Sequence, residues 1–528
     1  MLTNPIYKIK LKENYKKDIV EISFDFEILK IPNDTKKDDE FIFDDEIMLV
    51  NVGEIDKFTS DYIYQSKFTV FKDGNKISFG GYTPDWKRKS DLLKDKHNNT
   101  RFDINKTYHV NIKISKYRVY IDVNNKEMVD SYGNARNEIS DLAFYLKKGV
   151  EAKISNVVFT ERDAINYKID ETLAKMIKEK VVVNYLYYHV EEDGVYFDRL
   201  NIIQNIKCTT RNSGQYNSNI MFDMYTNSKT ITIDYKIMDS EVENYEFQFG
   251  LLINRKNIDV PLKRVNKGEH YIDTFTITNK DNDYNRVTLV FPTGFCVAIK
   301  SIKIENNKVF KAVKKDYEVV FLGDSITEGS ECFNPASTYF SKVTLYYNFI
   351  GYDFAVSGRT FNDYNLLGTY NINPKYVFIA NGTNSFAMGN GSKEKAFAEL
   401  TKNMEIVINS INNYFPKAKI IALLPIWRSD EKGVDFSLKD ITNKMIEIYK
   451  KHNNIIIIDA HEYIPYDVSY FSNATLALHP NSKGHELYGD KLINDLKRII
   501  GNVTIKDDKE EARRCISWIK KKKYYLSS

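Results

Sequence analysis

Cysteine is scarce in this chain: 528 residues hold four, Cys208, Cys296, Cys332 and Cys515, widely spaced and never as CxxC. That excludes a disulfide framework and a zinc site built on thiolates, and leaves reduced thiols as the expectation. No metal or cofactor is expected. Tryptophan occurs 3 times and proline 11 times. No stretch approaches the ~18 consecutive apolar residues that a membrane-spanning helix needs. An excess of one charge is also missing, with 76 Lys and Arg against 72 Asp and Glu, net +4. Because the two signs are interspersed, nucleic acid is not an implied partner. The exception, Lys520 to Lys523, reads as a solvated tail. Met1 to Lys8 lacks the apolar core of a signal peptide, so the chain is expected to be a soluble cytoplasmic protein.

What is present is an ordinary globular composition, 42% hydrophobic and 28% charged, in a chain long enough for about two to four domains. From residue 6 to 160 the pattern alternates with period two. Ile22, Phe24, Phe26 and Ile28 interleave with Glu21, Ser23, Asp25 and Glu27, and Val110, Ile112, Ile114 and Val119, Ile121, Val123 do the same. This is the mark of half-buried antiparallel strands, and Asn124-Asn125 supplies a hairpin turn that tolerates positive φ. Residues 1–162 are read as an all-β sandwich; its stretch from Tyr108 to Phe159 resembles the concanavalin A-like and laminin-G-like jelly rolls. Ile169, Leu173, Met176 and Ile177 share one face of a linking helix. Alternation then returns, as in Thr230 to Ile237, so residues 163–314 are read as that helix plus a smaller sandwich or jelly roll.

From residue 315 to 505 the texture changes. Short apolar runs, Tyr317 to Leu322, Tyr376 to Ala380, Ile420 to Leu424 and Ile455 to Ile458, alternate with long amphipathic stretches such as Ala396 to Ile411. Strands buried on both faces and separated by helices predict an α/β domain with a doubly wound parallel sheet. Its site would lie beyond the carboxyl ends of the strands. Residues 506–528 form a helical, basic tail.

Four short motifs fall at those strand ends: Gly323-Asp324-Ser325-Ile326-Thr327-Glu328-Gly329, Ala355-Val356-Ser357-Gly358-Arg359-Thr360, Ala380-Asn381-Gly382-Thr383-Asn384, and Leu478-His479-Pro480-Asn481-Ser482-Lys483-Gly484-His485. In this order they resemble the four blocks of the SGNH, or GDSL-type, hydrolase superfamily, over roughly residues 317–500. Chemically, Ser325 is a nucleophile once a base takes its proton, and His479 is the candidate base. The backbone N–H groups of Ser325 and Gly358 and the side-chain amide of Asn384 are candidate oxyanion donors. His485 is expected to be a helix-packing residue and His461 a loop residue.

The resemblance breaks at one position. Most members of the superfamily carry an aspartate three residues before the histidine; here that residue is Leu476. Three readings follow: a Ser-His dyad with a backbone carbonyl holding His479, a remote carboxylate such as Asp459 or Asp467, or a decayed domain that only binds. A sandwich followed by such a domain resembles carbohydrate esterases. The resemblance implies a serine esterase that removes O-acyl groups, most simply O-acetyl, from a carbohydrate or other small ester. The alternatives are a non-catalytic glycan-binding protein, an acyltransferase or a lipid esterase. Arg359, Trp427 and Arg428 are candidates for the substrate rim.

Overall fold

The computed structural model describes residues 6–10, 19–32, 46–52, 67–73, 76–81, 103–115, 118–132, 141–163, 168–200, 216–240, 246–277, 284–362, 366, 370–387, 392–433, 435–473 and 475–526. Cys208 lies outside the described residues. The chain divides into two compact units, residues 1–166 with 205–212, and residues 167–204 with 213–528.

In the first unit the described strands form two antiparallel sheets. One runs Glu151–Arg162, Ile19–Lys30, Tyr108–Ile114, Arg118–Val123, Lys126–Tyr132; the other runs Ile6–Lys10, Asp141–Leu146, Glu46–Val52, Lys67–Asp73, Lys76–Gly81. Alternation does what the sequence pattern requires. Ile22, Phe24, Phe26 and Ile28 join Val110, Ile112, Ile121, Met48, Val50 and Phe144 in one apolar core drawn from both sheets. Phe24 meets Phe144 edge-on with ring centroids 5.0 Å apart; burying a side chain of this kind contributes roughly 1.5–3 kcal/mol. The turn after Arg118–Val123 places Asn124 and Asn125 at φ 50 and 62, the left-handed values that a two-residue hairpin needs.

The second unit opens with the helix Glu171–Lys178, capped by Asp170, with Leu173, Met176 and Ile177 buried. These side chains pack into the core of the β-rich segment that follows. Its described strands form two larger antiparallel sheets and a two-stranded one, Glu246–Phe247 with Lys263–Arg264. One runs Val182–Val183, Met221–Thr226, Asn285–Val290, Gly250–Ile253, Lys256–Ile258, with Phe310–Ala312 also paired to Met221–Thr226. The other runs Tyr187–Glu191, Gly194–Asp198, Phe295–Ile304, Thr230–Ser240, His270–Thr276.

Next comes a parallel sheet in the order Ile350–Asp353, Glu318–Gly323, Tyr376–Ala380, Lys419–Leu423, Ile455–Ile458. Its strands read as unbroken apolar runs because both faces are covered. Val320 and Leu322 pack with Leu400, Met404, Ile408, Ile441 and Met445. Val319 and Phe321 pack with Tyr339, Phe340, Leu492 and Leu496 on the other side. The helices supplying these residues are Lys393–Tyr414, Leu438–Tyr449, Tyr339–Tyr346 and Ser482–Ile499. The strand order reverses between Ile350–Asp353 and Tyr376–Ala380, on either side of Glu318–Gly323. A crevice opens at such a point beyond the carboxyl ends of the strands.

The helix Asp508–Leu526 does not begin as a free tail. Ala512 and Ile516 are fully buried against Tyr225 and Val313, and Asp508 pairs with Arg255 at 2.9 Å and Arg286 at 3.4 Å. Among the described residues no helix is long and apolar enough to cross a membrane.

Candidate active site

At the carboxyl end of Glu318–Gly323 the chain turns straight into the one-turn helix Ser325–Glu328. Gly323 allows this: a Cβ there would lie 2.1 Å from Thr327 Oγ1. Asp324 caps the helix, its Oδ1 accepting the Ile326 N–H at 3.0 Å. Ser325 is therefore the first helical residue, and its own N–H has no acceptor one turn earlier. Its Oγ lies 2.8 Å from His479 Nε2.

His479 sits on a loop that closes on itself. Phe471 bridges Pro480, and the Ser472 N–H donates to the His479 carbonyl at 3.0 Å. Asn481 then caps the helix Ser482–Ile499 through Lys483 and Gly484, while its amide nitrogen donates to the carbonyls of Ser469 and Phe471.

The other face of the imidazole meets a carboxylate. Glu331 Oε1 lies 3.2 Å from His479 Nδ1, and Glu331 Oε2 accepts from Ser472 Oγ. The histidine beside it holds the Glu331 carboxyl below the usual glutamate range. An ionised acceptor at Nδ1 keeps the proton on that nitrogen and leaves Nε2 to accept from Ser325 Oγ–H. Glu331 has φ 65, left-handed backbone that costs a non-glycine residue energy and clusters at functional sites. Gly329, at φ 88, ends the helix Ser325–Glu328 and starts the reversal that brings Glu331 to the histidine.

The carboxylates considered from sequence go elsewhere. Asp459 accepts from the His461 N–H, and Asp467 caps a short 3-10 turn through the Ser469 N–H. Leu476 is 37% exposed, and its N–H donates to Asn473 Oδ1. Glu331 escaped the sequence reading because the family pattern looks for the acid just before the histidine. The available signal was an acidic residue two positions past a helix-ending glycine.

Two of the oxyanion candidates, Gly358 and Asn384, are tied to one turn. Arg359 N–H donates to the Val356 carbonyl at 3.1 Å. Gly358, at φ 76 with open space where a Cβ would stand, occupies the third position of that turn, which needs positive φ in a type II turn. Asn384, in the helix Thr383–Ala387, donates its amide to the Arg359 carbonyl at 3.1 Å, which fixes where its second N–H points.

Arg359, Trp427 and Arg428, expected at the rim, are instead buried. Arg359 donates to the Phe354 carbonyl. Trp427 Nε1 donates to the carbonyls of Ile464 and Pro465. Arg428 makes a two-pronged contact with Asp430 and holds the Thr383 carbonyl, so it braces the turn that carries Asn384. The exposed apolar side chains on the segments around His479 are Phe333, Tyr466, Val468 and Leu476. His485 is fully buried; it accepts the Tyr339 N–H through Nδ1, and burial pushes its pKa down to about 3, which suits a packing residue. His461 lies beside Glu431.

Among the described residues no group of three or more His, Cys, Asp or Glu is placed to hold a metal ion. Residues 321–487 match the model of the GDSL-like lipase/acylhydrolase family. Residues 321–487 are a GDSL-like lipase/acylhydrolase domain. The same fold occurs in a salicylyl-acyltransferase from a tetracycline biosynthetic pathway, 12% identical, covering 60% of this chain and 94% of that one at a TM-score of 0.50. Also similar are a GDSL-like lipase from Bacteroides ovatus (15% identity, 61% and 96% coverage, TM-score 0.47) and a family two carbohydrate esterase from Clostridium thermocellum (15% identity, 61% and 99% coverage, TM-score 0.45). No curated protein matches the chain by sequence.

Beneath Ser325 of the acylhydrolase domain, Asp324 is buried, and burial pushes its carboxyl up to about 7 against the Ile326 N–H and His479. It lines a cavity of about 20 Å³ with Thr327, Tyr339, Asn381 and Tyr488, room for a single water. A carboxyl raised above its unfolded value favours the folded state below that unfolded value, here 3.8, and loses the contribution as pH rises through about 7. Asp324→Asn keeps the capping oxygen and removes the titration. Its melting temperature relative to wild type is expected to rise between about pH 5 and about pH 8 by at least ~2–4 °C, the shift per kcal/mol in a domain of roughly this size. A difference that stays flat with pH in thermal melts refutes this.

Proposed function

We propose that the protein is a serine esterase that hydrolyses O-acyl esters through an acyl-enzyme. The observation that carries this is the run of contacts Ser325 Oγ, His479 Nε2, His479 Nδ1, Glu331 Oε1, at 2.8 Å and 3.2 Å. In this reading His479 takes the Ser325 proton as Oγ attacks the ester carbon. The oxyanion forms against the N–H groups of Ser325 and Gly358 and the Asn384 amide. The alcohol leaves with the proton from His479; water, deprotonated by the same nitrogen, then cleaves the acyl-enzyme and releases the acid. Glu331 holds the imidazole in the required tautomer and stabilises its cationic form.

An O-acetylated carbohydrate is the substrate class we assign. The support is the order of β-rich segments before an acylhydrolase domain, which resembles carbohydrate esterases, together with Tyr466. That ring is 59% exposed and lies 5.0 Å from the Trp427 ring, which in turn meets Phe471 on the His479 loop. A flat amphipathic ring beside the site suits the apolar face of a sugar. The same reading treats residues 1–162 and 163–314 as sandwiches, 315–505 as a doubly wound domain and 506–528 as an appended helix.

The test is turnover of 4-nitrophenyl acetate, with mass spectrometry of the quenched protein. We expect turnover, an acetyl group on the peptide carrying Ser325, and acetate release from acetylated oligosaccharides. Absence of both turnover and adduct would favour a non-catalytic binding protein, and transfer of the acetyl group to an added sugar in preference to water would favour an acyltransferase.

A further inference from the structure

One buried side chain from the β-rich segment reaches the catalytic turn. Arg199 follows the strand Gly194–Asp198 and is completely buried. Its guanidinium donates to the carbonyls of Tyr216, Asp353 and Ala355 and to Glu328 Oε1 at 2.7 Å, and it lies 3.1 Å from Asp353 Oδ2. Glu328 is the last residue of the nucleophile helix, and its other oxygen accepts both the N–H and the Oγ–H of Ser357, each at 3.0 Å. Ser357 is bonded directly to Gly358. Asn219, from the same β-rich segment and also fully buried, donates to Asp353 Oδ2 at 2.7 Å and to the carbonyls of Thr327 and Glu328 that close the nucleophile helix. It accepts from Thr338 Oγ1.

Two carboxylates with 0% side-chain exposure, Glu328 and Asp353, are costly to bury unless each is paired and fully hydrogen-bonded. One planar fork with five donors meets that need at several acceptors together; a lysine cannot. Apart from the Tyr216 carbonyl, the acceptors it reaches lie on the end of the nucleophile helix and on the strand end leading into the Val356–Arg359 turn. They are the two pieces that carry the Ser325 and Gly358 N–H groups.

We propose that Arg199 is a positioning residue for acyl transfer: through Glu328 it holds the Ser357–Gly358 turn in register with Ser325, which makes the β-rich segment part of the catalytic unit. This rests on the esterase reading above. It predicts that the turn loosens when the fork is lost, although Arg199 touches no substrate.

The experiment uses the full chain with Arg199→Lys, which keeps the charge between the two carboxylates, and separately Glu328→Gln, which keeps the volume. Two readouts are taken, 4-nitrophenyl acetate kinetics and hydrogen exchange by peptide. Loss of an oxyanion donor costs about 10²–10³ in kcat, and displacement of a donor less. Both variants are therefore expected to lose about 10–10² in kcat with KM within about twofold, and to exchange faster over residues 353–360 but not over Lys419–Leu423. Unchanged kcat and exchange in both variants overturns the proposal. So does faster exchange spread evenly over the parallel sheet, which is the mark of a merely structural role. A wild type without turnover sinks the esterase reading instead, and the exchange readout still decides whether Arg199 holds the turn.

Discussion

Ser325→Ala will lose about 10⁶ in kcat for ester hydrolysis, the scale seen when the nucleophile of a serine hydrolase is removed. The argument is one of atoms. In the proposed mechanism the Oγ that lies 2.8 Å from His479 Nε2 forms the covalent bond, and the other hydroxyl of the helix Ser325–Glu328 does not replace it: Thr327 Oγ1 is engaged with the Tyr339 hydroxyl. The substitution leaves the Ser325 N–H, the Gly358 turn and the Asn384 amide in place, so a residual rate over water of about 10³–10⁴ is expected from the oxyanion site and binding alone. The fold should not suffer, since the Asp324 cap is untouched. The check is kcat for 4-nitrophenyl acetate beside the far-ultraviolet circular dichroism and melting curve of the variant. Equal turnover in wild type and variant would mean that a different group does the chemistry.

The parts of this site that sequence disclosed are those fixed by local chemistry. The run Val319 to Leu322 needs both faces buried, so it reads as a central parallel strand; Gly323, Asp324 and Ser325 follow because a tight strand-to-helix turn needs a small residue and then a cap. Gly358 and Asn384 became candidates through the resemblance of their motifs, Gly358 also because a missing Cβ lets an oxygen approach the backbone. Alternation likewise exposed the strands Ile19–Lys30 and Thr230–Ser240. The parts that stayed hidden depend on chain reversal and on distant partners. No local preference marks Glu331, because glutamate is a poor choice for left-handed backbone, and only the fold brings it to His479. Arg199 lies 129 positions from Glu328, and a lone arginine after a strand carries no trace of such a partner. Trp427 and Arg428 misled because aromatic and cationic side chains just past a strand suit a rim as well as a buried brace.

Glu331→Gln is the second large effect, a loss of about 10²–10⁴ in kcat, the upper figure being what disabling the orienting carboxylate costs a serine-protease triad. The amide keeps the length and the backbone at φ 65 but can present either end to Nδ1, so it no longer enforces the tautomer, and it offers no charge to the imidazolium that forms as Ser325 attacks. Half of the Glu331 side chain is exposed, so water screens part of its charge and the loss falls below the upper figure. Because the neighbouring histidine holds the carboxyl below the usual glutamate range, Glu331 is ionised throughout neutral pH. The ratio of wild-type to variant kcat should therefore show no step from titration of Glu331 itself between about pH 6 and pH 9. Any stability the ion pair contributes is present above the ordinary glutamate range and is lost only as the pH falls through the lowered value. Glu331→Asp separates reach from charge. It keeps the carboxylate and suits left-handed backbone better, yet one methylene fewer draws the oxygen back from Nδ1, so stability should hold while kcat still falls by about tenfold or more. If Glu331→Gln instead keeps more than about a tenth of wild-type kcat, the histidine is held without a carboxylate, and the site works as a Ser-His dyad with Glu331 as a bystander.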